Sequence, residues 1–228
     1  MVLHQPDVGA APIVTRTGAG SVVTPVALLA GLDLLTERER HADALALVLA
    51  AGLVEAGGQA VTVGTHAARL GDLGHVALVV EVAGLDADAV ARLVRSAADQ
   101  QGVPTPGPPQ RGLLVGPDFT GSAALLPVLR DAVEAQRRRS SGRAVVFPGS
   151  AGLTGTTTVA AVVAGSSIDR VQVIGAAAVD PVTPLVTRDF VRPLWVGGEL
   201  VLHTQPAVGG VLVPFETPDP TPCCAAHA

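Results

Sequence analysis

The spacing of apolar positions changes twice along this chain. Residues 44–54 carry no polar side chain, too long a run for one strand and about half of the roughly twenty residues that cross a bilayer. Glu37, Arg38, Glu39, Arg40 and His41 close it on one side and Glu55 on the other, so it reads as a buried helix. Thr36-Glu37-Arg38-Glu39 matches a capping box, the hydroxyl meeting the third amide while the glutamate reaches back, and Gly57-Gly58 provides a stop, which predicts a helix over 36–56. A helix apolar nearly all round needs cover on several sides, from a sheet, other helices or a second subunit.

Upstream, residues 1–20 read as an arm with a strand at 12–16. Thr24-Pro25 predicts a helix start, a hydroxyl cap before proline at the first position, continuing through 26–30 to Gly31. Downstream, residues 60–63 and 76–82 read as strands separated by a loop carrying His66, Arg69, Asp72 and His75. Asp86 and Asp88 suit a helix N-terminus, and Val90, Leu93, Val94 and Ala97 repeat at helical spacing, which predicts one buried face. Residues 100–110, with Pro104, Pro106, Pro108 and Pro109, read as a linker or long surface loop. A short strand at 112–115 and a helix at 122–139 follow, with Pro127 in its first turn or at a kink.

From residue 143 onward the spacing becomes strand-like. Residues 157–163, 168–174, 185–191, 199–203 and 211–215 are β-branched or alternating runs, separated by Gly165-Ser166-Ser167, Asp180-Pro181, Gly197-Gly198 and Gly209-Gly210. Such turn residues between such runs are the signature of hairpins. The chain as a whole predicts one α+β domain over 1–228, with helices packed on one side of a largely antiparallel sheet and a strand-rich C-terminal half. Subdomains at 1–142 and 143–218, with a tail at 219–228, are the natural division.

Composition narrows the chemistry. Hydrophobic residues make up 48% against 15% charged, so the chain is globular. Four Phe, one Trp and no Tyr leave no aromatic platform for bases, and a net charge of −5 argues against nucleic acid or an anionic membrane as partner. All fifteen basic residues are Arg, the bias of a GC-rich genome. Without lysine there is no P-loop lysine, no Schiff base and no covalently held pyridoxal phosphate. Adjacent Cys223 and Cys224 cannot staple a core, and with no signal peptide at the start a cytoplasmic protein is expected. The apolar helix and the excess of small hydrophobes predict a homo-oligomer.

Three places carry candidate chemistry. In the loop 148–158, Gly149, Gly152 and Gly155 alternate with Ser150, Thr154, Thr156, Thr157 and Thr158. It has neither the dinucleotide spacing nor the P-loop lysine, yet amides and hydroxyls at this density can hold a carboxylate, a phosphate or an oxyanion. The plainer reading is a connector whose threonines begin a strand. Ser150 followed by Asp180 or Asp189 and then His203 is the chain order of an α/β-hydrolase triad, although Pro148 stands where that elbow has glycine. Second, His66 and His75 flank Asp72 and can serve as a general base or as metal ligands, or as surface hydrogen-bonding residues. Arg188 and Arg192 share one side of a strand by the two-residue period and can grip a carboxylate. Arg137, Arg138, Arg139 and Arg143 read as a solvated helix end, favoured by the dipole. Third, Cys223, Cys224 and His227 form a possible clamp for zinc or copper, or a redox pair, which a partner subunit or His203 would have to complete.

The leading expectation is an enzyme or binding protein for a small polar or anionic metabolite. Gly149, Gly152, Thr154, Gly155, Thr156 and Thr157 would hold it, with Ser150, His66 and Arg188 as catalytic candidates. A metal- or thiol-handling protein working through its tail and a structural, self-assembling subunit are the alternatives. On the metal reading, stoichiometric zinc or copper in the wild type disappears from the Cys223→Ser, Cys224→Ser double variant, which elemental analysis beside native mass spectrometry measures.

Overall fold

A computed structural model describes residues 27–100, 111–175 and 178–218. The predicted arm and strand at 12–16, Thr24-Pro25, the proline-rich residues 101–110 and the tail with Cys223, Cys224 and His227 lie outside the described residues. Within them the protein is α+β, with four helices and a twelve-stranded, mostly antiparallel sheet.

The first half is an interleaved β-α-β-β-α-β unit. It comprises β1 (Leu28–Thr36), α1 (Glu39–Glu55), β2 (Gln59–Leu70), β3 (Leu73–Ala83), α2 (Ala87–Gln100) and β4 (Gly112–Val115). These strands lie in the order β4-β1-β3-β2, every neighbour antiparallel. Asp86 Oδ1 accepts from Ala89 N at 2.7 Å at the start of α2, and Val90, Val94 and Ala97 are its buried face, as the stripe predicts. A hairpin partner, β5 (Asp118–Gly121), extends the edge at β4, and α3 (Leu125–Arg138) follows with Pro127 in its first turn.

The expectation of helices on one side is corrected here. On β3, Val76, Leu78, Val80 and Val82 belong to the core beneath α1 and α2, whereas Ala77 and Val79 pack with Leu129, Ala132 and Val133 of α3 on the opposite face. A strand apolar on both faces must be covered on both. Gly31 and Gly112 let α3 come close, because a β-carbon at either would stand 3.0 Å from the side chain of Leu129.

Other local expectations yield to pairing. Residues 28–30 open β1 instead of a helix: Ala30, Leu32 and Leu34 alternate into the core. The capping box does not form, since Thr36 stays in β1 opposite Val76; α1 starts at Glu39 with Arg38 at its N-cap and no side-chain bond. The loop expected around His66 and His75 is instead the end of the β2–β3 hairpin, whose ladder runs from Gln59 opposite Ala83 to Leu70 opposite Leu73. Cover on α1 is incomplete, with Leu47 53% and Val54 59% exposed.

The second half begins with β6 (Arg143–Val146) on the free side of β2. A 3-10 turn (Ser150–Gly152), β7 (Thr156–Thr158), α4 (Val159–Gly165), β8 (Arg170–Val173), β9 (Pro184–Val186), β10 (Leu194–Val196), β11 (Glu199–Ala207) and β12 (Val211–Pro214) follow. The sheet continues as β2-β6-β10-β11-β12-β9-β7, with β8 parallel on β11. The strand expected at 157–163 is in fact β7 followed by α4, because Thr158 Oγ1 caps the helix by accepting from Ala161 N at 3.2 Å. The strand expected at 185–191 ends at Val186, where Arg188 and Asp189 turn with φ of 56° and 53°. Phe147, Val159, Val162, Ile168, Leu185 and Leu200 form the core of this half.

A buried ion network ties the halves together. Arg143 on β6 donates through both terminal nitrogens to Asp43 on α1, at 2.7 and 2.9 Å, and through Nε to Glu216 at 2.6 Å. Arg192 Nε donates to the same Asp43 at 2.9 Å. The side chains of Asp43, Arg143 and Arg192 are only 9–11% exposed. Removing one partner of a buried pair strands the others, so Asp43→Ala is expected to cost about 3–5 kcal/mol. Urea denaturation checks this as a fall in midpoint; a loss below about 1 kcal/mol, the worth of a surface pair, refutes it.

Candidate functional site

A large cavity arises because β2 outruns its neighbour. Strand β6 meets β2 only at Val63, Gly64 and Thr65, while β2 continues to Leu70 paired with β3 alone. The unmatched stretch opens onto a cavity of about 880 Å³, walled by residues of α3, by Gly142 and Arg143, by Leu194, Trp195 and Val196 of β10, and by Glu39 and Glu216.

His66 is the buried histidine in its wall. The two-residue alternation of β2 places it on the α3 side of the sheet with Gly64 and Ala68, and its Nε2 lies 3.0 Å from Gln136 Oε1 on α3. Gly142, with φ of 110°, packs so closely on the imidazole that any β-carbon there would collide with the ring. Burial pushes the His66 pKa below its ordinary value, opposed by the bond to Gln136. A neutral ring donating Nε2–H to Gln136 Oε1 keeps its lone pair on Nδ1. Fixing one nitrogen this way readies the other to accept a proton or a hydrogen bond.

Two donors beside it lack acceptors. Gln136 Nε2 and Trp195 Nε1 are buried with no hydrogen-bond partner among the described residues, and an unmet buried donor costs on the order of 1–3 kcal/mol. Trp195 lines the cavity, and the Arg139 guanidinium stands 4.9 Å over its ring. Glu216 adds a carboxyl that burial pushes up, against the opposing pull of Arg143. His66, Trp195 and the Glu216 carboxyl around one cavity suit a ligand with both acceptors and donors, while Gln136 stands behind that wall, bonded to His66.

The loop 148–158 sits elsewhere. Ser150 and Thr154 line a separate groove of about 680 Å³ against Leu47 and Val54 of α1. The loop's own chain occupies several of its polar groups. Ser150 N donates to Phe147 O, Gly152 N to Gly149 O and Leu153 N to Ser150 O, while Ser150 Oγ accepts from Phe147 N at 3.3 Å. Gly155 N donates to Asp189 Oδ1 at 2.8 Å. Gly149, φ 85°, lies against Gly165 O and Ser166, where no side chain fits, and Thr156 and Thr157 pair with Val186 and Leu185.

The catalytic candidates therefore do not converge: His66 lines the β2 cavity, Ser150 the α1 groove, and Arg188 lines neither. No histidine bonds Ser150; Asp180 binds Val182 N, and His203 lies on β11 with Nδ1 unpartnered. Arg188 and Arg192 do not share a strand, because β9 ends before both. His75 bonds Asp33 at 2.8 Å with both side chains wholly buried, and among the described residues no group of three His, Cys, Asp or Glu side chains could hold a metal. Arg137 and Arg138 pair with Glu134 on the exposed face of α3, the solvated helix end expected, but Arg143, expected with them, is instead buried by its bonds to Asp43 and Glu216. Sequence reasoning missed Gln136, Gly142 and Trp195. Gln136 carried a readable signal, as a polar residue at a core position of the stripe Leu125, Leu129, Ala132, Val133.

The depressed His66 pKa fixes a pH dependence. The unfolded chain binds this proton near its ordinary value of about 6.5, while the folded chain resists it to lower pH. The stabilisation is complete above that value and is lost as pH falls through the window beneath it. His203, also lowered by burial and by Arg170, acts in the same direction, so the comparison with a variant carries the argument. His66→Gln is expected to lose less stability than wild type between about pH 7.5 and 5; parallel curves in urea titrations would contradict it.

No protein-family model, curated protein or solved structure matches the chain, and the functional reading rests on the chemistry of this cavity.

Proposed function

We propose that this protein binds a small polar metabolite, as an enzyme or a binding protein, and that the β2 cavity holds it. The carrying observation is the conjunction of His66, neutral and fixed by Gln136, with the unmet donors Gln136 Nε2 and Trp195 Nε1. A ligand with acceptor oxygens would supply what those donors lack, and His66 Nδ1 would take a hydrogen bond or a proton from it. Loop 148–158, several of whose amides bond within the chain, would then brace the second half.

A thermal-shift screen of polar metabolites tests the proposal. A ligand at a hundred times its Kd stabilises by about 2.7 kcal/mol, which for a domain of this size corresponds to a rise of about 5–10 °C in Tm. The rise is expected to vanish in His66→Ala and to shrink in Trp195→Phe, whose affinity falls about tenfold with the lost donor. A hit that stabilises both variants as much as wild type, or a screen without a hit, refutes the proposal.

A further inference from the structure

The free edge of β2 points to a ligand class. Gly142 O accepts from Trp195 N, and Ala144 N donates to Pro193 O, so the polar backbone groups of 142 and 144 face β10 and those of Arg143 face β2. Arg143 is opposite Thr65, whose backbone groups consequently face β6. By the same alternation, the N–H and C=O of Ala67 and Arg69 face the cavity, with no strand beside them among the described residues. Five residues, 66–70, make up this free edge, about 17 Å of ladder.

Resting on the reading above that the β2 cavity is a ligand site, we infer that it takes a further ligand, an extended peptide segment that adds as a strand to the edge of β2. Its main chain bonds the N–H and C=O of Ala67 and Arg69 and continues the ladder that β6 begins. One of its carbonyl oxygens is the acceptor that Trp195 Nε1, in the cavity wall, lacks among the described residues. Side chains of such a strand alternate between the two walls. Asp131 lines the α3 side and Glu39 the α1 side, and neither carboxylate is in an ion pair within the described residues, so basic side chains suit both walls. With α3 along one side and β10 across the end, the space fits a single strand more readily than the sheet edge of a second folded copy.

The test uses a positional-scanning library of fluorescein-labelled peptides, roughly seven residues long to span the free edge, with the full chain. The expected result is binding by fluorescence polarisation, with Lys or Arg selected at alternating positions. Ala67→Pro removes one outward N–H, and an edge position tolerates proline; this variant is expected to bind the selected peptide roughly tenfold more weakly. Backbone N-methylation of that peptide is a second measurement that leaves the protein's fold untouched. It is expected to abolish binding at one set of alternate residues and to spare the other. No peptide bound, or equal loss from both sets, overturns the inference. So does a dimer that Ala67→Pro splits without any peptide being bound, in favour of a second copy on this edge. If peptides fail while the His66-dependent metabolite shift persists, the peptide class is wrong and the cavity reading stands; if both fail, both are wrong.

Discussion

One carboxylate holds the two halves in register. Asp43 receives two bonds from Arg143 and one from Arg192, on segments 100 and 149 residues away in sequence. Charges this deep are costly to leave unpaired and gain little over an apolar replacement when paired, so the network's main consequence is geometric. Arg143 is also the residue with which β6 meets Thr65, and its Nη1 donates to Thr65 Oγ1 at 2.9 Å. Where the guanidinium is anchored, β6 begins, and beyond that point β2 is bare. The cavity is in this sense a by-product of where a buried ion pair starts a strand.

Much of the first half is legible in the residues. The stripe of α2, the strands on either side of His66 and His75, and the strand at 112–115 follow from spacing alone. What escaped is what pairing decides. Residues 26–32 are apolar enough for helix or strand, and alternation through Leu34 together with partners on β3 and β4 settles it. The two-faced burial of β3 was present as a nearly continuous apolar run, 76–83, but its meaning depends on α3 arriving from 42 or more residues downstream. At 157–163 the β-branched residues favour extension, yet Thr158 has its hydroxyl free to cap a turn, and the local bond prevails over propensity.

The site was half legible. His66 stood out by chemical type, and burial and tautomer came only with Gln136 and Gly142, which no motif connects to it. Trp195 was visible as the lone tryptophan, without a hint of its partnerless nitrogen. Loop 148–158 drew notice by composition, and Gly149 does serve close approach, but toward the chain's own backbone at Gly165 and Ser166, whereas Gly152 and Gly155 have open space beside them.

The bond from Gly155 N to Asp189 has a consequence for competition. A carboxylate held by the same chain faces that amide at an effective concentration of the millimolar order or above. A free anion at metabolite concentrations would have to outcompete a rival that cannot diffuse away. At Gly155, then, the acceptor is one that the protein supplies itself.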